Sequence, residues 1–240
     1  MSVNGLNTIK QTASLIMKNK KILGLIIARS GSKGVKNKNI KFFKGKPLVK
    51  WTLEAAKKSK YLSHVLVSTD SSKIIDLAKK MKIDAPFIRP KKLSSDKAKI
   101  GAVIFHTLKW IKENRNHNYK YLMLLQATSP NRNQHHIDNA LNYYFNKLSS
   151  KVDNLVSVTE APIKTGWIMQ KKNNFLKFVF KNKASFRQTL PYFYIPNGAI
   201  FICKLKNFKG SFYTKKTISY LMGKKASLDI DDLKDFAYKF

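Results

Sequence analysis

Residues 22–40, ILGLIIARSGSKGVKNKNI, join an unbroken apolar run to a loop made mostly of serine, glycine and lysine. An apolar run that ends in a glycine-containing polar segment is typical of a strand buried on both faces of a parallel sheet. The loop can offer backbone N–H groups, and Arg29, Lys33 and Lys38 supply positive charge. The pattern therefore predicts a polyphosphate site at the carboxyl end of the first strand, where open α/β sheets bind ligands.

The spacing of the glycines in this loop restricts which nucleotide site it can form. The loop matches neither Gly-x-x-x-x-Gly-Lys-Ser/Thr nor Gly-x-Gly-x-x-Gly, which disfavours a P-loop ATPase and a dinucleotide-binding enzyme. Considered alone, the loop is equally compatible with a solvated turn, so its assignment depends on the rest of the chain.

Strands and helices alternate along the first two thirds of the sequence. The hydrophobic spacing predicts helices over 47–58, 72–81, 99–112 and 134–148, and strands over 64–68, 83–88, 121–125 and 155–158. Such alternation predicts right-handed βαβ units, and hence an α/β fold with a mainly parallel sheet flanked by helices.

The sequence pattern changes over residues 162–194, where short segments with alternating aromatic residues predict a β-rich excursion from the sheet. Exposed Trp167, Phe175 and Phe178 would suit a subunit contact. Residues 1–16 are polar and are expected to be a disordered N-terminal extension. The sequence offers no linker that divides the remainder, so residues 17–240 are expected to form one domain.

The formal net charge of +34 at pH 7 would suit a partner such as nucleic acid or an anionic membrane surface. The charge is almost all lysine, however, and it is spread along the chain without the aromatic and basic signature of an RNA-recognition domain. We therefore expect a generally basic surface with no specific nucleic-acid or membrane partner. Arginine is rare by contrast, with five residues in the chain, which indicates places that need a planar, bidentate donor.

Cysteine content and hydrophobic run length bear on the compartment. Cys203 is the only cysteine, which excludes an intrachain disulfide and favours a reducing, cytoplasmic compartment. It lies in an apolar run and is expected to be a packed thiol. The longest apolar run is shorter than the roughly 20 residues that a membrane-spanning helix needs.

Polar residues follow several of the predicted strands and should meet at one edge of a parallel sheet. They include Arg29, Asp70, Arg89, Gln126 and the pair Asn197-Gly198. This edge is therefore expected to be polar and mostly cationic.

Four of the 13 acidic residues are crowded into residues 229–235 near the end of the chain. In an extended segment Asp229 and Asp231 project to the same side, and their carboxylates are suited to one hard cation. The alternative is that Asp231 caps the last helix. Paired aspartates beside a cationic loop favour a Mg²⁺–triphosphate site.

Six segments, in this order along the chain, resemble the acylneuraminate cytidylyltransferases, also called CMP-sialic acid synthetases. The segments are ARSGSKGVKNKNI, VSTD, RPKKLSSD, LLQATSP, RQTLPYFYIPNGAI and LDIDDLKDF. The resemblance covers residues 20–235 and implies a Rossmann-like nucleotide-diphospho-sugar transferase fold with a small dimerisation excursion at 162–194. It also implies a homodimer that uses CTP, a nine-carbon 2-keto sugar acid and Mg²⁺.

The same resemblance implies roles for individual residues. Triphosphate binding is implied for Arg29, Ser32, Lys33, Lys38 and Asn39. Contacts with cytosine and ribose are implied for Arg89, Ser94 and Ser95, and a place near the nucleotide or sugar for Asn197. The implied sugar pocket holds Gln126, Ser129, Lys164, Arg187 and Gln188. Magnesium binding is implied for Asp229 and Asp231, which together with Arg29 and Lys38 would form the catalytic group.

The sequence shows three departures from the family pattern, of which the first two bear on the sugar pocket. Ala127 stands where the family usually has proline, Asn131 stands where it has a hydrophobic residue, and the last helix is short. N-acetylneuraminate, legionaminate and pseudaminate are all compatible with the sequence, and an eight-carbon sugar acid is a less favoured alternative. A charge-driven nucleic-acid-binding protein is the alternative from a different class, but it leaves the aspartate cluster unexplained.

Overall fold

The computed structural model describes residues 19–31, 34–161, 168–179 and 192–238. The strands are β1 (Ile22–Ile27), β2 (Phe42–Phe43), β3 (Lys46–Pro47), β4 (His64–Ser68), β5 (Tyr121–Gln126), β6 (Asn154–Glu160), β7 (Met169–Lys172), β8 (Phe175–Phe178), β9 (Tyr194–Lys204) and β10 (Thr217–Leu221). The helices are α1 (Leu48–Lys57), α2 (Ser72–Lys80), α3 (Ile100–Arg115), α4 (Gln134–Lys147) and α5 (Leu233–Phe236).

Six of these strands form one sheet in the order β10-β6-β9-β5-β1-β4. β1 pairs in parallel with β4 and β5, and β10 pairs in parallel with β6. β9 is antiparallel to both β5 and β6, so the carboxyl ends of the other five strands and the start of β9 lie at the same edge. The expectation of a mainly parallel α/β sheet is confirmed.

The first strand is buried on both faces, as its unbroken apolar sequence predicts. Ile22 and Ile26 pack with residues of α1, α2 and α4 on one side of the sheet. Leu23 and Leu25 pack with residues of α3 on the other side. This two-sided core fixes the strand that carries the loop after Ile27 into the site.

Close local contacts fix the starts of two helices, α3 and α4. Near the start of α3, a Cβ on Gly101 would come within 2.7 Å of the Gly210 Cα, so only glycine allows this approach. At the start of α4 the Asn133 side chain accepts a hydrogen bond from the His136 N–H, and the His136 ring accepts one from the Asn133 N–H. Both contacts therefore constrain the first turn of a helix.

Two local predictions differ from the structure. The segment over 83–88 forms isolated bridges at Asp84 and Ile88 and no continuous strand, because Pro86 between them has no N–H to donate. Asn197 and Gly198 do not follow a parallel strand: they lie inside β9, near the start of this antiparallel strand. They still reach the predicted edge because β9 begins there.

The segment between β6 and β9 is described in part. β7 and β8 form an antiparallel hairpin whose residues are all exposed, with Phe175 at 80%. This agrees with a β-rich excursion, while Trp167 lies outside the described residues. Cys203 is fully buried in β9, which confirms the packed thiol. In the described part of the chain, no helix is both long enough and apolar enough to cross a membrane.

Candidate active site

A cavity of about 550 Å³ opens at the carboxyl edge of the sheet, beyond the ends of β1 and β5. Its wall includes Arg29, Lys38 and Arg89, together with Gln126 and Asp231. The sequence predicted Arg29, Arg89 and Gln126 for one edge of the sheet and assigned Lys38 and Asp231 to a triphosphate site, and the structure brings all five to one cavity. Ser32, Lys33, Lys164, Arg187 and Gln188 lie outside the described residues.

Arg29 follows β1 and is held by two neighbours. Its guanidinium forms an ion pair with Asp96, which also lines the cavity. Its backbone carbonyl accepts a hydrogen bond of 2.8 Å from the Asn39 side-chain nitrogen. The Asn39 oxygen is buried without a hydrogen-bond partner among the described residues. The Asp96 carboxylate is thus paired with Arg29, whereas the Asn39 side-chain oxygen is an acceptor that a bound ligand could use.

Asp70 links the loop after β1 to the loop after β4. Its two oxygens accept hydrogen bonds from the Ser30 N–H at 2.8 Å and the Ser30 hydroxyl at 2.6 Å. The same carboxylate lies 3.9 Å from an Arg89 nitrogen. The Asp70 carboxylate therefore connects the start of the loop after β1 to the buried arginine in the loop after β4.

Arg89 is 2% exposed and faces the cavity from beneath Ser94. Its Nε donates to the Ser94 hydroxyl at 3.0 Å, and its Nη1 donates to the Ser68 carbonyl at 3.3 Å. Burial lowers the pKa of Arg89, and the positive charge of Arg29 adds to this, while Asp70 opposes it. The guanidinium is thus a rigid, partly desolvated donor, and such a donor favours contact with an anion or a base edge.

Lys38 and Asp231 meet at the wall of the cavity. The Lys38 ammonium, 11% exposed, lies 2.7 Å from the Asp231 carboxylate, which is 72% exposed. Gly34 packs on the Asp231 backbone so closely that a Cβ would come within 2.9 Å of its carbonyl oxygen. The loop after β1 and the aspartate segment are therefore in direct contact, although 193 positions separate Lys38 from Asp231.

Asp229 sits deeper than Asp231. Burial raises the pKa of the Asp229 carboxyl and Asp231 adds to the rise, whereas the Thr128 hydroxyl and Lys38 oppose it. One Asp229 oxygen, Oδ1, is buried without a hydrogen-bond partner among the described residues. An unpaired carboxylate oxygen of this kind fits a cation ligand.

Capping of the last helix by Asp231, the alternative to metal binding, is not observed. Asp232 is the N-cap of α5, and its partner in the capping box is Asp235. The Asp235 carboxylate also accepts from the Asp231 N–H at 2.8 Å. The Asp231 side chain is therefore available to Lys38 and to the cavity.

The described residues hold no group of three or more His, Cys, Asp or Glu side chains arranged as a metal site. Magnesium in nucleotide enzymes commonly takes one or two protein carboxylates and completes its shell with phosphates and water. Asp229 and Asp231, with the orphaned Oδ1 atom of Asp229, fit this donor set.

Gly198 brings Gln126 and Asp229 together. A Cβ at this position would lie 3.2 Å from the Gln126 Oε1 and 3.3 Å from the Asp229 Oδ2, and its φ of +71° is one that glycine adopts without strain. This explains why the turn inside β9 contains glycine.

Four described candidates from the sequence are not part of the cavity wall, namely Asp229, Ser94, Ser129 and Asn197. Ser129 is fully buried, with its hydroxyl unpaired among the described residues, and it is not part of the described cavity wall. The Asn197 amide is satisfied by Ser157 at 2.6 Å and Ser227 at 2.8 Å, and it lies behind that wall. Ser94 supports Arg89, whereas its neighbour Ser95 lines the cavity.

The sequence-based assignment gave no role to two acidic residues of the site, Asp70 and Asp96. Asp70 ends the VSTD segment and Asp96 ends the RPKKLSSD segment, so both belong to motifs that were identified. The available signal was that each is a lone carboxylate in a strongly basic chain. Their partners, Ser30 and Arg29, lie 40 and 67 positions away, which no local pattern reveals.

Comparison with known proteins places this geometry in context. A family model described as cytidylyltransferase matches residues 23–235. The N-acylneuraminate cytidylyltransferase of Escherichia coli is 36% identical over 220 residues, covering 90% of this chain and 50% of that protein. The pseudaminic acid cytidylyltransferase of Campylobacter jejuni is 31% identical over 220 residues, covering 91% of this chain and 94% of that protein.

Solved structures agree on the fold. The CMP:2-keto-3-deoxy-manno-octonic acid synthetase in complex with CTP superposes with a TM-score of 0.62 at 12% identity, covering 88% of this chain and 93% of that one. The chain spans about half the length of the first curated relatives it matches.

Proposed function

Since the chain belongs to the cytidylyltransferase family, we propose that it joins CTP to a nine-carbon 2-keto sugar acid of the N-acylneuraminate type. The products are a CMP-sugar and pyrophosphate. The observation that carries this proposal is one cavity whose walls combine Arg29, Lys38 and Arg89 with the carboxylate of Asp231. Cations for a triphosphate and carboxylates for a metal are the two requirements of nucleotidyl transfer.

In this proposal the triphosphate lies along the loop after β1. Arg29 and Lys38 neutralise its charge, and Ser32, Lys33 and Asn39 supply further contacts. The Arg29–Asp96 and Lys38–Asp231 pairs support this arrangement, because they hold both cations at the cavity wall before a nucleotide arrives. A triphosphate would replace Asp96 as the partner of Arg29.

The base and ribose occupy the corner formed by the loop after β4. Arg89 is held from two sides by Ser94 and the Ser68 carbonyl, so it offers donors in a fixed direction. Ser95 lines the same corner. Asn197 would act from behind the wall, by holding the start of β9 through Ser157 and Ser227.

The sugar acid is assigned to the side of the cavity near Gln126. Gln126 lines the cavity, and Ser129 lies buried in the loop that follows it. Lys164, Arg187 and Gln188 would complete this pocket, with a cation on the substrate carboxylate. N-acetylneuraminate is the preferred substrate, with legionaminate, pseudaminate and an eight-carbon acid as alternatives.

Asp229 and Asp231 would hold Mg²⁺. When bound, the ion supplies positive charge to the phosphates and lowers the pKa of an oxygen bound to it. Asp231 lines the cavity and is 72% exposed, whereas Asp229, two residues earlier, is the more buried carboxylate. Lys38 keeps Asp231 turned toward the phosphate loop.

The reaction is an in-line displacement at the α-phosphorus of CTP. The anomeric 2-hydroxyl oxygen of the sugar bonds to the α-phosphorus, the bond from that phosphorus to the β-phosphate oxygen breaks, and the hydroxyl proton leaves to solvent. Arg29 and Lys38 stabilise the charge that grows on the departing pyrophosphate. Catalysis consists mostly of positioning and electrostatic stabilisation.

The proposal extends to the organisation of the protein. Residues 17–240 act as one catalytic domain preceded by an extension at 1–16, and the exposed β7–β8 hairpin joins two copies in a homodimer. Catalysis would take place in the cytoplasm, where CTP is available and where the single buried thiol remains reduced.

Pyrophosphate release tests the proposed function. The assay combines the protein with CTP, Mg²⁺ and a panel of nine- and eight-carbon 2-keto sugar acids, with ATP, GTP and UTP in place of CTP as controls. We expect release that requires CTP together with a nine-carbon acid. Release with every nucleotide, or silence across the panel from folded protein, would contradict the proposal.

A further inference from the structure

The loop that follows β5 is closed by the side chain of Arg132. This side chain is fully buried, and its Nη2 atom donates to the Gln126 carbonyl at 3.0 Å and to the Thr52 hydroxyl at 2.7 Å. The Arg132 N–H also donates to the Ser129 carbonyl at 3.4 Å. The guanidinium therefore ties the last residue of β5 both to the end of the loop and to α1.

The Gln126 carbonyl receives a second donor from α1. The Thr52 hydroxyl donates to it at 3.2 Å, and Thr52 is fully buried. A hydroxyl has one proton to donate and can accept at the same time, so Thr52 can accept from Arg132 while it donates to Gln126. The three groups form a closed set of hydrogen bonds that fixes the end of β5 against a helix of the core.

The burial of Arg132 carries a free-energy cost. Burial lowers the pKa of Arg132 to about 9, and no charged partner in the described part of the chain offsets this. Its Nε and Nη1 atoms are buried and have no hydrogen-bond partner among the described residues. A buried cation with two unused donors is unfavourable for stability. What this residue contributes is therefore to be sought in the conformation of the loop that it closes.

The closed loop, residues 126–132, contributes directly to the candidate active site. Gln126 and Thr128 both line the cavity at the carboxyl edge of the sheet. The Thr128 hydroxyl forms a hydrogen bond with the Asp229 carboxyl, and the Thr128 carbonyl accepts from the Ile230 N–H at 2.9 Å. The conformation of this loop therefore sets the position of Gln126 and of the aspartate segment together.

We infer that Arg132 is a positioning residue, which holds the loop 126–132 so that Gln126 faces the sugar acid and Thr128 holds the aspartate segment. The inference rests on the proposed function for the identity of the substrate, and on the hydrogen bonds of the loop for the placement. Arg132 is not among the described residues of the active-site cavity wall, so it acts through the residues it holds. A shift of about 1 Å in such a group can lower a rate about 100-fold.

Arg132→Met tests this role through two separate Michaelis constants. Methionine fills much of the same space but donates no hydrogen bond, so the loop loses its closure. At saturating Mg²⁺ the KM for the sugar acid should rise at least about fivefold, because Gln126 is no longer held. The KM for CTP should change less than about twofold, since Arg29, Lys38 and Arg89 lie on other segments. An unchanged KM for the sugar acid, or equal changes in both constants, would overturn the positioning role.

Thr52→Val is the second variant, and it keeps Arg132 in place. It removes the other donor to the Gln126 carbonyl at nearly constant side-chain size, so the KM for the sugar acid should rise in the same direction by a smaller factor. Asp138→Asn is the matched control, since Asp138 is a buried charged residue outside the cavity wall that holds the Ser59 hydroxyl and the Lys60 N–H. An equal rise of this KM in Asp138→Asn would assign the effect to general loosening of the fold and overturn the inference.

Amide hydrogen exchange tests the same role without turnover. The Ile230 N–H, which is bonded to the Thr128 carbonyl, should exchange at least about tenfold faster in Arg132→Met than in the wild type. The Val67 N–H on β4, bonded to the Asp84 carbonyl at 2.8 Å, should keep its rate. Unchanged exchange at Ile230, or equal acceleration at Val67, would overturn the inference whatever the activity. A wild type that is inactive with every substrate would contradict the proposed function, and local acceleration at Ile230 would then still support the role of Arg132 in holding the loop.

Discussion

Individual carboxylates have large effects in a chain with 47 lysines and arginines and 13 acidic residues. At the site, Asp70, Asp96 and Asp231 each contact a cationic group or a loop that the proposed reaction needs. Residue type and motif were enough to select Arg29, Lys38 and Asp231, which the fold brings to one cavity, while their roles stay predictions. The pairings were not predictable, because each is formed between segments that only the folded sheet brings together.

Asp231 provides the first residue-scale prediction. Asp231→Asn should leave the fold intact, since the side chain is 72% exposed, but should reduce turnover at least about 100-fold by removing a metal ligand and the partner of Lys38. Steady-state kinetics at saturating CTP and Mg²⁺ measure the effect. Asp76→Asn, an exposed change on α2, is the matched control. Near-normal turnover of Asp231→Asn would remove this residue from the metal site.

Asp70 should act on nucleotide binding by positioning other groups. Asp70→Asn removes the negative charge beside buried Arg89 and weakens the contact with Ser30, so we expect the KM for CTP to rise about tenfold. Turnover at saturating CTP should fall much less. A loss confined to kcat, with an unchanged KM for CTP, would contradict the positioning role.

Helices and strands were more predictable than their connections. The strands β1, β4 and β5 follow from apolar runs, and α1 to α4 follow from their spacing, because burial on the sheet requires those patterns. The stretch over 83–88 was overpredicted since an apolar pattern says nothing about the N–H group that Pro86 lacks. The antiparallel direction of β9 could not be predicted either, because its sequence is as apolar as that of a parallel strand.

The contact between α3 and the loop at Gly210 gives an element-scale prediction. Gly101→Ala should lower the free energy of unfolding by about 1–3 kcal/mol, because its Cβ would meet backbone atoms of Gly210 that cannot move aside easily. Denaturant unfolding followed by circular dichroism measures this. Gly223→Ala is the control, since a Cβ there meets no described atom within 4 Å. Equal stability of the two variants would mean that the loop yields at little cost.

The exposed side chains of the β7–β8 hairpin give a prediction about the oligomeric state. Phe175 and Leu176 are 80% and 66% exposed on a two-stranded hairpin, and such hairpins are marginal in water without a covering surface. The double variant Phe175→Ser, Leu176→Ser should convert a dimer to a monomer in light scattering after size exclusion. Phe42→Ser, at a 67% exposed site on β2, should leave the dimer intact. A wild-type monomer would contradict the assignment of the hairpin.

At the scale of the whole molecule, the net charge of +34 was the least informative feature about function. Most lysines lie on the surface, whereas the proposed reaction depends on a few groups that lie together at the edge of the sheet. Composition alone favours nucleic acid as the partner, whereas the order of six short motifs favours a cytidylyltransferase. The sugar acid itself was not predictable from the sequence, since Ala127 and Asn131 depart from the family pattern in the proposed sugar pocket.

The central claim is that the anomeric hydroxyl of the sugar acid attacks the α-phosphorus of CTP. Isotope labelling of that hydroxyl oxygen tests this claim most directly. The protein is given CTP, Mg²⁺ and N-acetylneuraminate carrying ¹⁸O in its anomeric hydroxyl, and the products are weighed by mass spectrometry. Attack of that hydroxyl on the α-phosphorus predicts a CMP-sugar that retains ¹⁸O and a pyrophosphate without it. Label in the pyrophosphate, or CMP-sugar that has lost the label, would contradict the proposed reaction.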